Sequence, residues 1–288
     1  MPSQPAPTAA APDVAVPITH YENFPVASVL CPPHLRAPIA AIYHFARTAD
    51  DIADEGNASP EERLAELALF RSGLAAEPAA LARWPQVFGP LRTQRQAHGL
   101  PDALLHALLD AFVQDIEKTR AATGYRNHAE LLDYCSRSAN PVGRLLLHLY
   151  GVQDAESLAM SDHICSALQL INFWQDLSTD IPRGRFYLPQ DECARFNVTQ
   201  DDVLTQKDTS STIKLIAACA DTARAHMQRG AELVHRLPGR AGWELRLVVQ
   251  GGLRILDKIA AMDHRTLERR PKLYVWDYGV MIWRALWM

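Results

Sequence analysis

Asp50 and Asp54 stand four residues apart in Arg47-Thr-Ala-Asp50-Asp51-Ile-Ala-Asp54-Glu55. Helical spacing puts both carboxylates on one face. Like charges at this interval oppose helix formation by a few tenths of a kcal/mol, and Asp is a poor helix former. Taken alone, the segment reads equally well as a solvated helix end or as a face built to share a cation. A second segment changes that balance. In Gln169-Leu-Ile-Asn172-Phe-Trp-Gln-Asp176-Leu-Ser-Thr-Asp180, the residues Asn172, Asp176 and Asp180 again share a face, while Leu170, Ile171, Phe173, Trp174 and Leu177 supply apolar bulk. Gln169 lies one turn before Asn172 on a neighbouring line. Burying each unneutralised carboxylate costs several kcal/mol, so two acidic faces around one cavity demand a cation. Hard oxygen donors suit Mg²⁺, which keeps several waters and is readily completed by phosphate oxygens. A di-iron bundle would instead need Glu and Glu-x-x-His pairs, and neither stands here.

Positive charge follows at once. After Asp180 the chain reads Ile-Pro182-Arg183-Gly184-Arg185-Phe-Tyr187-Leu-Pro, a helix end and tight turn carrying two guanidinium groups. Arginine grips phosphate in bidentate fashion. Arg47, one turn before Asp50, is a third such group. The plainer reading is that arginines at helix ends favour the dipole or pair with nearby acids. The phosphate role for Arg183 and Arg185 is the expectation adopted.

The elements that must position these groups are helices. Apolar residues recur with helical period over about 29–56, 60–76, 101–120, 128–150, 157–180, 212–236, 240–269 and 273–287. Ser59 is placed to cap a helix opening on Pro60-Glu61-Glu62. Breaks are expected at Pro85, Pro90, Gly99-Leu-Pro101, Pro182–Pro189, Pro238-Gly239 and Pro271. Alternating β-branched runs are missing, and no fixed-period repeat stands out, so the expected fold is all-α in one domain over 20–288. Residues 1–19, rich in Pro and Ala, read as a disordered lead-in without a signal-peptide pattern.

Composition narrows the partners. The 288 residues carry a net charge of −4, which gives no reason to expect nucleic acid. Five widely spaced cysteines without Cys-x-x-Cys suggest buried thiols in a reducing cytosol. No run is long and apolar enough to span a bilayer. The aromatic segment Leu273–Met288 suits either a core cover or a membrane interface, and docking on its own fold is the expected role.

These segments together resemble the signature regions of squalene and phytoene synthases, and the likeness extends from His20 to about Arg270. The resemblance implies a class I isoprenoid-synthase fold, a helical bundle around a deep apolar pocket. It implies Asp50, Asp54, Asp176 and Asp180 as ligands of two or three Mg²⁺ ions that bridge a diphosphate. Arg47, Gln169, Arg183, Arg185, Asn23 and Tyr187 fall on the substrate side, with Tyr134, Asn140 and Asn172 near the reacting carbons. Two segments depart from the condensing enzymes of the family: Asn140-Pro141 replaces a Gly-containing pair after Tyr134-Cys135, and Glu22-Asn23 replaces a Lys/Ser pair. Both departures resemble the bacterial hydroxysqualene synthase branch.

The implied reaction is capture of water by a cation formed from presqualene diphosphate, without NADPH. No dinucleotide fingerprint stands in the sequence. The implied neighbours are a presqualene diphosphate synthase and a squalene-forming oxidoreductase, at the cytoplasmic face of the membrane. The rival readings are head-to-head condensation of two farnesyl diphosphates and, in another class, a non-catalytic assembly factor.

Overall fold

The computed structural model describes residues 31–288, and among them every regular element is a helix. The Pro/Ala-rich lead-in and Asn23 lie outside the described residues. In chain order the helices are α1 (Pro33–Asp54), α2 (Pro60–Ser72), α3 (Pro78–Arg83), α4 (Pro85–His98), α5 (Asp102–Arg120), α6 (His128–Ser138) and α7 (Asn140–Leu149). They continue as α8 (Ala155–Asp180), α9 (Gln190–Arg195), α10 (Gln200–Leu204), α11 (Ser210–Gly230), α12 (Leu233–Arg236), α13 (Arg240–Ala261) and α14 (Val275–Leu286).

Two apolar clusters organise the bundle. In the first, α1, α2, α4 and α5 close around Phe45, Phe70, Phe88 and Trp84; Phe70 packs against Phe45, Phe88 and Trp84 with ring centroids 4.9–5.2 Å apart. The second gathers α6, α8, α11 and α13 around Trp174, which is fully buried. The 26-residue α8 is apolar on several sides because it packs on α6, α7, α11 and α13. Where α7 crosses α8, a side chain at Gly143 would collide with Ser161 and Cys165, so the close approach requires glycine.

Local signals hold at α2, where Ser59 and Glu62 form the full capping box. Three readings of the chain are corrected. Pro85 does mark a break, between α3 and α4, but Pro90 does not: α4 starts on Pro85 and carries Pro90 inside it. Pro at the first position sacrifices no intrahelical donor, and burial of Val87, Phe88 and Leu91 outweighs the bond lost at Pro90. The stretch 128–150 is two helices, since Pro141 cannot donate to Arg137 and the chain turns at Ala139. Finally, α14 covers the core with only one stripe, Asp277, Met281 and Ala285, and leaves its tryptophans outside.

Candidate active site

The two acidic faces meet across one cavity of about 700 Å³. Asp50 and Asp54 occupy the last turns of α1, and Asp176 and Asp180 those of α8. Both pairs therefore sit at helix C-termini, where the macrodipole is negative and opposes a carboxylate. That arrangement is unfavourable without added positive charge. Burial, and then the neighbouring Asp54, push the Asp50 carboxyl up to about 7. Burial, and then Asp176, do the same to Asp180, which is only 9% exposed.

Arginines partly supply the missing charge. Gly184 adopts φ +77°, a left-handed turn that suits glycine, and folds the chain back so that the Arg185 N–H donates to the Asp180 carbonyl at 3.1 Å. The Arg185 guanidinium then reaches across the cavity and pairs with Asp54. Arg47 bonds Asp50 at 3.2 Å and Asp51 at 2.8 Å. Arg183 lines the same cavity.

Of the residues singled out in the sequence, Arg47, Asp50, Asp54, Tyr134, Gln169, Asn172, Asp176, Asp180, Arg183, Arg185 and Tyr187 all line this space. Asn140 does not. Its side-chain carbonyl accepts from Ser166 Oγ at 3.0 Å inside the α7–α8 contact, where it joins two helices.

Three further groups enter the site. Asp115 of α5 accepts hydrogen bonds from Tyr134 and, at 3.4 Å, from Tyr187. Burial raises its carboxyl to about 7, against the pull of the Tyr134 hydroxyl. Burial likewise holds both phenols well above their ordinary range. Arg270, which pairs with Asp176, and Lys272 lie on the segment after α13. That segment is fastened by Gln175, whose amide donates to the Pro271 carbonyl at 2.8 Å. Below them Tyr187 stacks on Phe173 at 3.8 Å, with Tyr134 beside both rings. Asp115 had a readable signal. It lies four residues after Ala111 and seven after Leu108, on the buried stripe of an otherwise ordinary amphipathic helix.

Behind the polar mouth lie two smaller chambers. One, of about 340 Å³, is bounded by Val142, Leu168, Ile171, Ile255 and Leu273 and shares Ser138, Gln169 and Asn172 with the mouth. The other, of about 330 Å³, is walled by Ile39, Ile42, Leu146, Leu168, Leu245 and Val248 and shares Tyr43 and Ala46 with the mouth. The site thus offers carboxylates and guanidinium groups at one end and hydrocarbon walls at the other.

Among the described residues no three His, Cys, Asp or Glu side chains converge on a point that would cage a metal by themselves. The donor set still fits Mg²⁺, which binds through one or two carboxylates and completes its shell with water and substrate phosphate. Each acidic face offers one such pair, and the raised Asp50 and Asp180 mark charge that a cation would relieve.

Comparison with known proteins gives the family. The squalene/phytoene synthase family model matches residues 19–277. The chain is 34% identical over 242 residues to a hydroxysqualene synthase of Sinorhizobium fredii, covering 84% of this chain and 79% of that one. It is 30% identical to a presqualene diphosphate synthase of Rhodopseudomonas palustris, over 76% of each chain. Among solved structures, squalene synthase HpnC from Alicyclobacillus acidocaldarius superposes with a TM-score of 0.74 at 33% identity, covering 85% of this chain and 90% of the other.

Proposed function

The chain belongs to the squalene/phytoene synthase family, and on that premise we propose that it converts presqualene diphosphate to hydroxysqualene. Membership makes it an isoprenoid-synthesising enzyme that uses a prenyl diphosphate; the particular step is the part proposed. The observation that carries the chemistry is the facing of two Asp-x-x-x-Asp pairs across one cavity with arginines between them. The choice of step is supported by the likeness to the Sinorhizobium fredii enzyme over most of both chains.

Asp50, Asp54, Asp176 and Asp180 would hold Mg²⁺, which supplies Lewis acidity to the departing diphosphate. Arg47, Arg183, Arg185, Arg270 and Lys272 add fixed positive charge where the leaving group gains negative charge. The C–O bond breaks with its electron pair leaving on the diphosphate. The cyclopropylcarbinyl cation left behind rearranges beside Phe173, Tyr134 and Tyr187, whose ring faces favour positive charge. Water then forms the new C–O bond and releases one proton. Tyr134 is placed to accept that proton while passing its own to Asp115, a carboxyl poised near neutral pH as a general base should be. Asn172 and Gln169 stand where the mouth joins the first apolar chamber, suited to orienting the substrate between its polar and hydrocarbon ends. The product is a thirty-carbon hydrocarbon alcohol, which favours a peripheral position at the cytoplasmic face of the membrane.

The test offers purified protein and Mg²⁺ either presqualene diphosphate or farnesyl diphosphate, with and without NADPH, and identifies products by mass spectrometry. Hydroxysqualene from presqualene diphosphate alone is the expected result. Consumption of farnesyl diphosphate would overturn it in favour of head-to-head condensation; presqualene diphosphate synthesis is the activity named for the Rhodopseudomonas palustris relative. Squalene formed only with NADPH would overturn it in favour of reduction.

A further inference from the structure

The outward face of α14 contradicts what a water-facing helix should be. Its buried stripe, Asp277, Met281 and Ala285, packs on α13. Asp277 is fully buried, bonded by Arg254 at 2.7 Å, Lys258 at 2.8 Å and the Tyr274 N–H at 2.7 Å, so the helix is fixed in this orientation. Solvent instead meets Val275 (84% exposed), Trp276 (67%), Ile282 (54%), Trp283 (62%), Leu286 (53%) and Trp287 (76%). Scattered exposed apolar residues are ordinary; a contiguous apolar helix face marks an interaction surface. The face extends onto α13 through exposed Trp243, and Arg246 ties the two helices by donating to the Ala285 carbonyl at 3.1 Å.

Three observations choose the occupant. Large amphipathic indoles dominate the face, and such rings favour the headgroup level of a bilayer. Charge is the second. Outside the mouth, the exposed charges of residues 233–288 are Arg236, Arg240, Arg265, Arg269 and Arg284 against Asp263 and Glu268, in a chain whose net charge is −4. The one acid of α14, Asp277, is buried, and its outward charge is Arg284, paired with Asp257. This end of an acidic protein is therefore basic, complementary to anionic headgroups. The third is position. The α13 segment that carries Trp243 also supplies Ala241, Leu245 and Val248 to the wall of the second apolar chamber.

We propose that the outward face of α14, with Trp243, is a docking surface for an anionic lipid bilayer, on which the helix lies in the interfacial plane. No described helix is long and apolar enough to cross a membrane, and none is required. The inference deepens the peripheral location proposed above and rests on that reading only for the hydrocarbon that would pass between chamber and lipid.

Flotation of the full chain with phosphatidylglycerol-containing vesicles, without substrate, tests it. Expected are co-flotation, a blue shift of tryptophan emission, and binding at least tenfold weaker to pure phosphatidylcholine vesicles or in high salt. The double substitution Trp283→Gln/Trp287→Gln should reduce binding about tenfold or more. Val275→Glu, at the most exposed of these positions and away from any packing, should do likewise with helicity unchanged. Absence of binding to anionic vesicles, or binding that Val275→Glu leaves intact, would overturn the proposal. So would a stable dimer that Val275→Glu dissociates, which would make a second copy the occupant. Because flotation is read without turnover and repeated on Asp54→Asn/Asp180→Asn, loss of docking and loss of the proposed chemistry are separately visible.

Discussion

The two ends of the cavity are made from the same two helices, yet they do opposite things. Along α1 the cavity-facing side chains run Ile39, Ile42, Tyr43, Ala46, Asp50, Asp54; along α8 they run Ser161, Ile164, Cys165, Leu168, Asn172, Asp176, Asp180. Each helix thus carries one stripe at three- and four-residue spacing that changes from hydrocarbon to carboxylate toward its C-terminus. Both stripes change in the same direction. A ligand with a charged head and an apolar body is therefore matched twice, by two parallel gradients. The acidic end stores unfavourable electrostatics that a cation relieves, whereas the apolar end only has to fit.

That contrast breaks most severely at the acidic end. Asp54→Asn combined with Asp180→Asn should reduce Mg²⁺-dependent turnover by about a thousandfold or more while circular dichroism stays unchanged, since metal Lewis acidity accounts for several kcal/mol of barrier lowering. Retained turnover would remove the acidic faces from the chemistry. Asp115→Asn should cost about a hundredfold in kcat, the usual scale of general-base catalysis. Steady-state rates against pH should show the wild-type limb that rises near pH 7 missing from this variant. At the other end, Leu168→Trp fills space shared by both chambers. It should raise KM about tenfold for the full-length substrate, the effect of one to three kcal/mol of overpacking, and less for a shorter prenyl diphosphate.

The smallest effect is on stability without metal. Asp50, Asp115 and Asp180 titrate near 7 when folded and near the ordinary carboxylate value when unfolded. Between those values the folded state binds more protons, so stability falls as pH rises from about 4 through 7. Thermal melts without metal should show Tm several degrees lower at pH 8 than at pH 5.5, and Mg²⁺ with diphosphate should restore part of the difference. A Tm that rises over this range would show that these carboxyls do not dominate.

How far the sequence reaches depends on the same contrast. The acidic faces were legible because i, i+4 carboxylates within an apolar helix are costly and local. The arginines beyond Asp180 were legible because Pro182 and Gly184 force the turn. Asp115 is one acid on an Ala/Leu helix, visible only once that helix's buried stripe is known. Arg270 and Lys272 depend on the Gln175–Pro271 bond between residues 96 apart, which no local pattern encodes. The place of Asn140 was hidden for a related reason: its neighbour Ser166 comes from another helix. The helix through Pro90 was hidden because proline's local cost is evident while the packing that offsets it is tertiary.

Two ion pairs span the mouth of the cavity. Arg185 engages Asp54, and Arg270 engages Asp176, so each arginine occupies a carboxylate that the proposed chemistry assigns to metal. On that chemistry a free divalent ion would have to displace a guanidinium, and a free diphosphate would have to detach one from its acid. Either alone meets a competitor already in place. Arriving together, each releases the partner that the other requires, because the freed arginine turns to phosphate and the freed carboxylate to metal. The reciprocity of such linkage makes each ligand tighten the other's binding by the same factor. On the proposed chemistry the site would then respond little to magnesium or free diphosphate singly, and most to the two joined on one hydrocarbon.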